Sequence, residues 1–116
     1  MKILFASDIH GSAYYCRRLL DIYKETKASR MVILGDILYH GPRNDLPKEY
    51  APKEVIAMLN PLKDQIYAVR GNCDTEVDQM VLQFPILADY ALLVLDGKTF
   101  YATHGHVFNQ DHLPPM

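Results

Sequence analysis

Two cysteines, Cys16 and Cys73, are all the thiol chemistry that 116 residues offer. That number makes no disulfide framework, and free thiols fit a reducing compartment. Long apolar runs are also missing. The start, MKILFAS, carries one lysine and only a short apolar stretch before Asp8. A secretory leader needs a longer apolar region, and a membrane helix needs about 20 apolar residues. Neither charge is in excess: 12 basic against 14 acidic side chains give a formal net charge of -2. No long basic surface therefore advertises nucleic acid or a membrane, although a local positive cleft stays open. Repeats, low-complexity runs and linkers are absent too. The expectation is a cytoplasmic protein without a membrane segment.

What is present is ordinary for a globular chain, with 49% hydrophobic and 22% charged residues. The length fits a single domain, 1–116, which can bury about 65% of its unfolded surface. Residues 2–6 and 31–34 read as short buried strands, each cut off by polar residues. Between them, Ser12 suits an N-cap, and Cys16, Leu19, Leu20 and Tyr23 recur at amphipathic-helix spacing. Gly41-Pro42, Asn44 and Pro47 mark residues 37–51 as a loop. Pro52 suits a first helical position before Val55, Ile56 and Leu59. A third strand is expected at 65–69, a short helix at 75–82, and then two strands joined by the hairpin dipeptide Asp96-Gly97. Alternating strands and helices followed by a hairpin predict an α/β sandwich whose first part is a parallel sheet.

In such sheets the functional crevice lies beyond the carboxyl ends of the strands. Asp8 and His10 follow the first strand, Asp36 the second, Asn72 the third, and His104 and His106 the last. All should meet at one edge. Carboxylates, imidazoles and an amide oxygen form a mixed set that suits Mn, Fe, Zn, Ni or Co better than Ca. Asp8-x-His10 puts two side chains on one side of an extended segment. A lone Asp36 between two partial sets suits a bridge between two ions, which together can hold a hydroxide and clamp a phosphate. Each residue alone has a plainer reading as a cap, a turn former or a surface histidine. The ordered set, one step past each strand, favours the metal site.

The segments DIHG (8–11), LGD (34–36), GNCD (71–74) and THGH (103–106) resemble the successive motifs of the calcineurin-like metallophosphoesterases. The longer stretches GDILYHGPRNDLPKEYAPKEV and AVRGNCDTEVDQM resemble its YfcE-type bacterial phosphodiesterase subgroup. The resemblance implies an αββα sandwich of two mixed sheets flanked by helices, and two divalent transition metal ions, manganese first among them. Asp8 and His10 would hold one ion, Asn72 and His104 the other, with Asp36 bridging. It further implies a phosphodiesterase that attacks a small phosphodiester with a metal-bridging hydroxide. The rivals are a phosphomonoesterase on the same metals and a metal-poor interaction scaffold of the same fold.

Asn72, Cys73 and Asp74 are the candidate catalytic residues of the third motif. The wider family carries histidine where Cys73 stands, whereas the subgroup also carries cysteine. Cys73 is open to three readings: a polar neighbour of the phosphate, a packing substitute, or a nucleophile or ligand. Nearby cations would lower its pKa. Arg43 could grip a phosphate through paired hydrogen bonds, or simply be solvated, and Arg70 could do likewise or pair with an acid. His106 has no ligand role in this mapping and is left to contact substrate or to satisfy a hydrogen bond. Family members continue into a Gly-His-x-His motif, whereas this sequence closes on FNQDHLPPM, in which His112 is no substitute. The resemblance therefore implies a C-terminally shortened domain with an incomplete second sheet and exposed apolar surface, which a homo-oligomer could cover.

Overall fold

The computed structural model describes residues 2–113. Three short strands, β1 (Ile3–Ala6), β2 (Arg30–Ile33) and β3 (Ile66–Ala68), form a parallel sheet in the order β1-β2-β3. Leu4 lies opposite Met31 and Met31 opposite Ile66, so each strand presents alternate residues to the same face. Leu4, Met31, Ile33, Ile66 and Ala68 point toward one core, which they share with Cys16, Tyr23, Val55 and Leu59 of the helices. That face is covered by α1 (Ala13–Thr26) and α2 (Pro52–Leu59), the crossovers that parallel strands require.

The start signals in the sequence work as expected. Ser12 sits in an extended conformation and accepts the Tyr15 N–H, while Pro52 opens α2 without a side-chain cap. A 3-10 turn at Asn60–Gln65 follows, and α3 (Glu76–Val81) is closed at its start by a reciprocal capping box between Thr75 and Asp78. Of the helical tyrosines only Tyr23 is core. Tyr15 is exposed, and Tyr14 lies under the Lys48 ammonium at 4.0 Å.

The hairpin β4 (Ala91–Leu95) and β5 (Lys98–Ala102) turns at Asp96-Gly97, both with positive φ, as that dipeptide predicts. It faces the other side of the parallel sheet. Ile3, Val32, Tyr67 and Leu93 line a cleft of about 410 Å³ between the two. The layers therefore run helix, parallel sheet, antiparallel hairpin. Each sheet is of one kind rather than mixed, and no helix covers the far face of the hairpin among the described residues. Phe5 and Tyr67 on the inner side and Leu92 and Val94 on the outer side stay about half exposed or more. Of these, Leu92 and Val94 belong to the second sheet, where exposed apolar surface is expected. Among the described residues, no helix is long and apolar enough to cross a membrane. Residues 1 and 114–116 of the expected domain lie outside the described residues.

Candidate metal centre

Beyond the carboxyl ends of the strands the chain keeps its parallel register without being strand. Asp8 N–H donates to the Gly35 carbonyl at 3.0 Å, His10 N–H to Asp36 at 2.8 Å and Gly11 N–H to Ile37 at 2.8 Å. Two loops are thereby zipped side by side, and their side chains meet. Asp8, His10 and Asp36 all adopt positive φ, at 59°, 50° and 55°. The first two are therefore not on an extended segment, as alternation suggested; a left-handed twist at each brings them together. Non-glycine residues held in that region cost roughly 1–3 kcal/mol each, a cost that clusters at functional sites.

The third loop is stitched to the second by Asp74. Its buried carboxylate accepts the backbone N–H groups of Asp36 (2.7 Å), Ile37 (3.0 Å) and Gly71 (2.7 Å). Both oxygens are engaged, so Asp74 holds the loops of the site from beneath. In return, Asp36 Oδ1 accepts the Cys73 N–H at 2.8 Å, which leaves Oδ2 free to face the cleft.

The centre itself is a ring of four atoms. His10 Nε2 lies 3.1 Å from Asp8 Oδ1 and 3.6 Å from Asp36 Oδ2, and His104 Nε2 lies 3.4 Å and 3.1 Å from the same two oxygens. His10 Nδ1 is 2.8 Å from the Tyr39 carbonyl, which only accepts, so that nitrogen carries a proton. In the neutral ring the Nε2 lone pair then points at carboxylate oxygens. Acceptors facing acceptors require a cation between them, either a proton or a metal ion.

The charges respond to this crowding. Burial raises Asp8, but the Ser7 hydroxyl and His104 outweigh it and leave this carboxyl below its ordinary value. Burial pushes Asp36 above its ordinary value, with Asp8 adding repulsion against the relief from Cys73 N–H and His104. Two like charges at this separation cannot both stay ionised without a positive partner.

Two overlapping groups have metal-ligand spacing: Asp8, Asp36 and His104, and His10, Asp36 and Cys73. Asp36 belongs to both, which is the geometry of a bridge. His10 Nε2 is also 3.1 Å from Asp8 Oδ1, so Asp8 faces both histidines. Asn72 is exposed and lines the cleft beside them. The donor set fits a pair of divalent transition ions, with imidazole nitrogen and carboxylate oxygen alternating around shared atoms.

The cleft over this centre has a volume of about 540 Å³, and Tyr39, Arg43, Asn44 and Thr75 form its outer wall. Arg43 is exposed and makes no ion pair among the described residues, whereas Arg70 is taken by Asp89 at 2.9 Å. His106 places Nδ1 3.1 Å from His104 Nδ1, and His112 stacks on Phe108 outside the cluster. His40, whose buried Nδ1 has no hydrogen-bond partner among the described residues, packs edge-on between Tyr39 and Tyr50 and has no signal in the sequence.

Cys73 is buried and lines the cleft, with carboxylates near it. In the metal-free protein burial raises its pKa, and Asp36, Asp74, Asp8 and Asp78 raise it further. Cys16, buried in the core, is pushed up to about 11. In the metal-free protein both thiols should therefore alkylate with iodoacetamide at pH 7.5 more slowly than a free cysteine. Faster modification of Cys73 than of a model thiol would contradict the acidic surroundings described.

The sequence pattern described as Calcineurin-like phosphoesterase matches residues 1–115. Phosphodiesterase YfcE of Escherichia coli (strain K12) is 49% identical over 116 residues, and the same protein of strain O157:H7 matches equally. Those alignments cover 100% of this chain, which spans 63% of the relatives' length. A solved structure of the E. coli protein, described as a phosphoesterase, superposes with a TM-score of 0.96 over 100% of this chain and 64% of that one. A structure of an uncharacterized protein from Streptococcus pneumoniae superposes at 0.52 with 23% identity, covering 94% of this chain and 48% of that one, and shares the fold alone.

Proposed function

Because the chain belongs to the calcineurin-like phosphoesterase family, we propose that it is a metal-dependent phosphodiesterase acting on a small phosphodiester, with two divalent transition ions, manganese foremost. The observation that carries this reading is the ring of His10, His104, Asp8 and Asp36, in which the committed Nδ1 proton of His10 leaves its Nε2 facing carboxylates. Asp36 would bridge the ions. Asp8, His10, His104 and Asn72 would complete the protein's share of ligands. When bound, the ions supply a nucleophile by lowering the pKa of water and offset negative charge on the phosphoryl oxygens.

The remaining residues bind and orient. Arg43 in the cleft wall would grip a phosphoryl oxygen pair through its planar fork. Cys73, buried in the cleft wall, would neighbour the phosphate, and a metal-supplied nucleophile leaves no need for it to attack. A cleft of about 540 Å³ suits a small ester rather than a polymer. The name of the E. coli relative supports a diester over a monoester. The scaffold alternative is disfavoured by the retained ring of Asp8, His10, Asp36 and His104.

The test is a substrate comparison with the manganese-loaded chain. A bis-aryl phosphodiester should turn over faster than the matching aryl phosphomonoester. Faster monoester turnover would make the protein a phosphatase, and no turnover of either would favour the scaffold.

A further inference from the structure

His10 and His104 occupy equivalent places in the ring, each with Nε2 on the same pair of carboxylate oxygens. A histidine that gives one ring nitrogen to a metal needs an acceptor for the proton on the other, which fixes the tautomer and holds the ring at the right angle. For His10 that acceptor is the Tyr39 carbonyl, a main-chain group that no side-chain change can remove. For His104 the corresponding nitrogen lies 3.1 Å from Nδ1 of His106, and the two rings meet edge-on with centroids 5.0 Å apart.

Two Nδ1 atoms within hydrogen-bond distance share one proton, so one ring donates and the other accepts. If Nε2 of His104 is given to a cation, its Nδ1 carries the proton, and His106 Nδ1 must be the acceptor. His106 is then neutral and protonated at Nε2. Its exposure sets it apart from the core, so its side chain is not needed to fill space. His106 therefore has a place in the centre through its contact with His104.

We propose that His106 is a positioning residue that accepts the Nδ1 proton of His104 and so presents His104 Nε2 to the metal. The inference rests on the metal reading above and adds to it a residue whose removal weakens one side of the centre only. Zinc serves as a diamagnetic probe. His106→Leu removes the acceptor, whereas His106→Gln returns one in the form of an amide oxygen.

In chelator competition, His106→Leu should lose about 10–100-fold in zinc affinity, and His106→Gln should recover most of that loss. Nitrogen-15 spectra of the zinc-loaded protein should show His106 neutral with its proton on Nε2. Thermal melts of the zinc-free variants should match the parent chain. A parent chain that takes up zinc while His106→Leu takes it up equally well overturns the proposal alone, as does a loaded protein with the proton on His106 Nδ1. Equal losses in the Leu and Gln variants also overturn it, because the acceptor would then not be what matters. A parent chain that takes up no zinc overturns the metal reading and this inference with it.

Discussion

Asp36→Asn should fold like the parent chain and lose phosphodiester hydrolysis by at least about 10³-fold, roughly 4 kcal/mol of transition-state stabilisation. The two oxygens of Asp36 have separate tasks. Oδ1 accepts the Cys73 N–H at 2.8 Å and holds the third loop, a task that an asparagine oxygen performs equally well. Oδ2 faces Nε2 of both histidines, at 3.6 Å and 3.1 Å. An amide NH₂ in that place presents protons where a bridging ligand must present lone pairs. Asp36→Ala removes both tasks and should add a loss of stability to the loss of activity. Circular dichroism and melting of the Asn variant separate the two. Retained hydrolysis in a folded Asp36→Asn protein would mean that the shared carboxylate is not the centre of the site.

Gly71→Ala should damage the site without replacing a ligand. A Cβ at Gly71 would lie 2.2 Å from Asp36 Oδ1 and 2.7 Å from Asp36 N, and one at Gly35 would lie 2.3 Å from Gly71 N. The second and third loops are in backbone contact, and Asp74 clasps them with three N–H bonds. An added methyl forces the loops apart, strains that clasp and turns Asp36 away from the histidines. Overpacking of this kind, with buried N–H groups losing their acceptor, costs about 2–4 kcal/mol. Urea denaturation should report that loss, and manganese uptake should fall with it. A Gly71→Ala chain with the parent's stability and full metal uptake would show that the close approach does not position Asp36.

The sequence made the frame legible because the relevant signals are local. Apolar runs of four or five residues end in polar ones, Ser12 and Pro52 announce helices, and Asp96-Gly97 dictates its own turn. Asp8, His10, Asp36, Asn72 and His104 could be named because each follows a strand, and parallel strands deliver their ends to one edge. The contacts that make these residues a site are of another kind. Tyr39 meets His10 across 29 positions, and Asp74 meets Asp36 and Ile37 across 38 and 37. No periodicity encodes such pairings. The same holds for Asp74, which in sequence is one more acid in a motif and in three dimensions binds three backbone N–H groups. For Cys73 the neighbours decide the chemistry, and the carboxylates around it come from three separate stretches of chain. The positive φ at Asp8, His10 and Asp36 has no sequence signature, because glycine, the usual mark of that conformation, is absent from those positions.

The central claim is that the ring of two carboxylates and two imidazoles is a seat for two metal ions that share Asp36. Manganese stoichiometry tests it most directly, by elemental analysis of the purified 116-residue chain after reconstitution and desalting. The account predicts two ions per chain, falling to one or none in Asp36→Asn. One ion or none in the parent chain, or two in the variant, would contradict it.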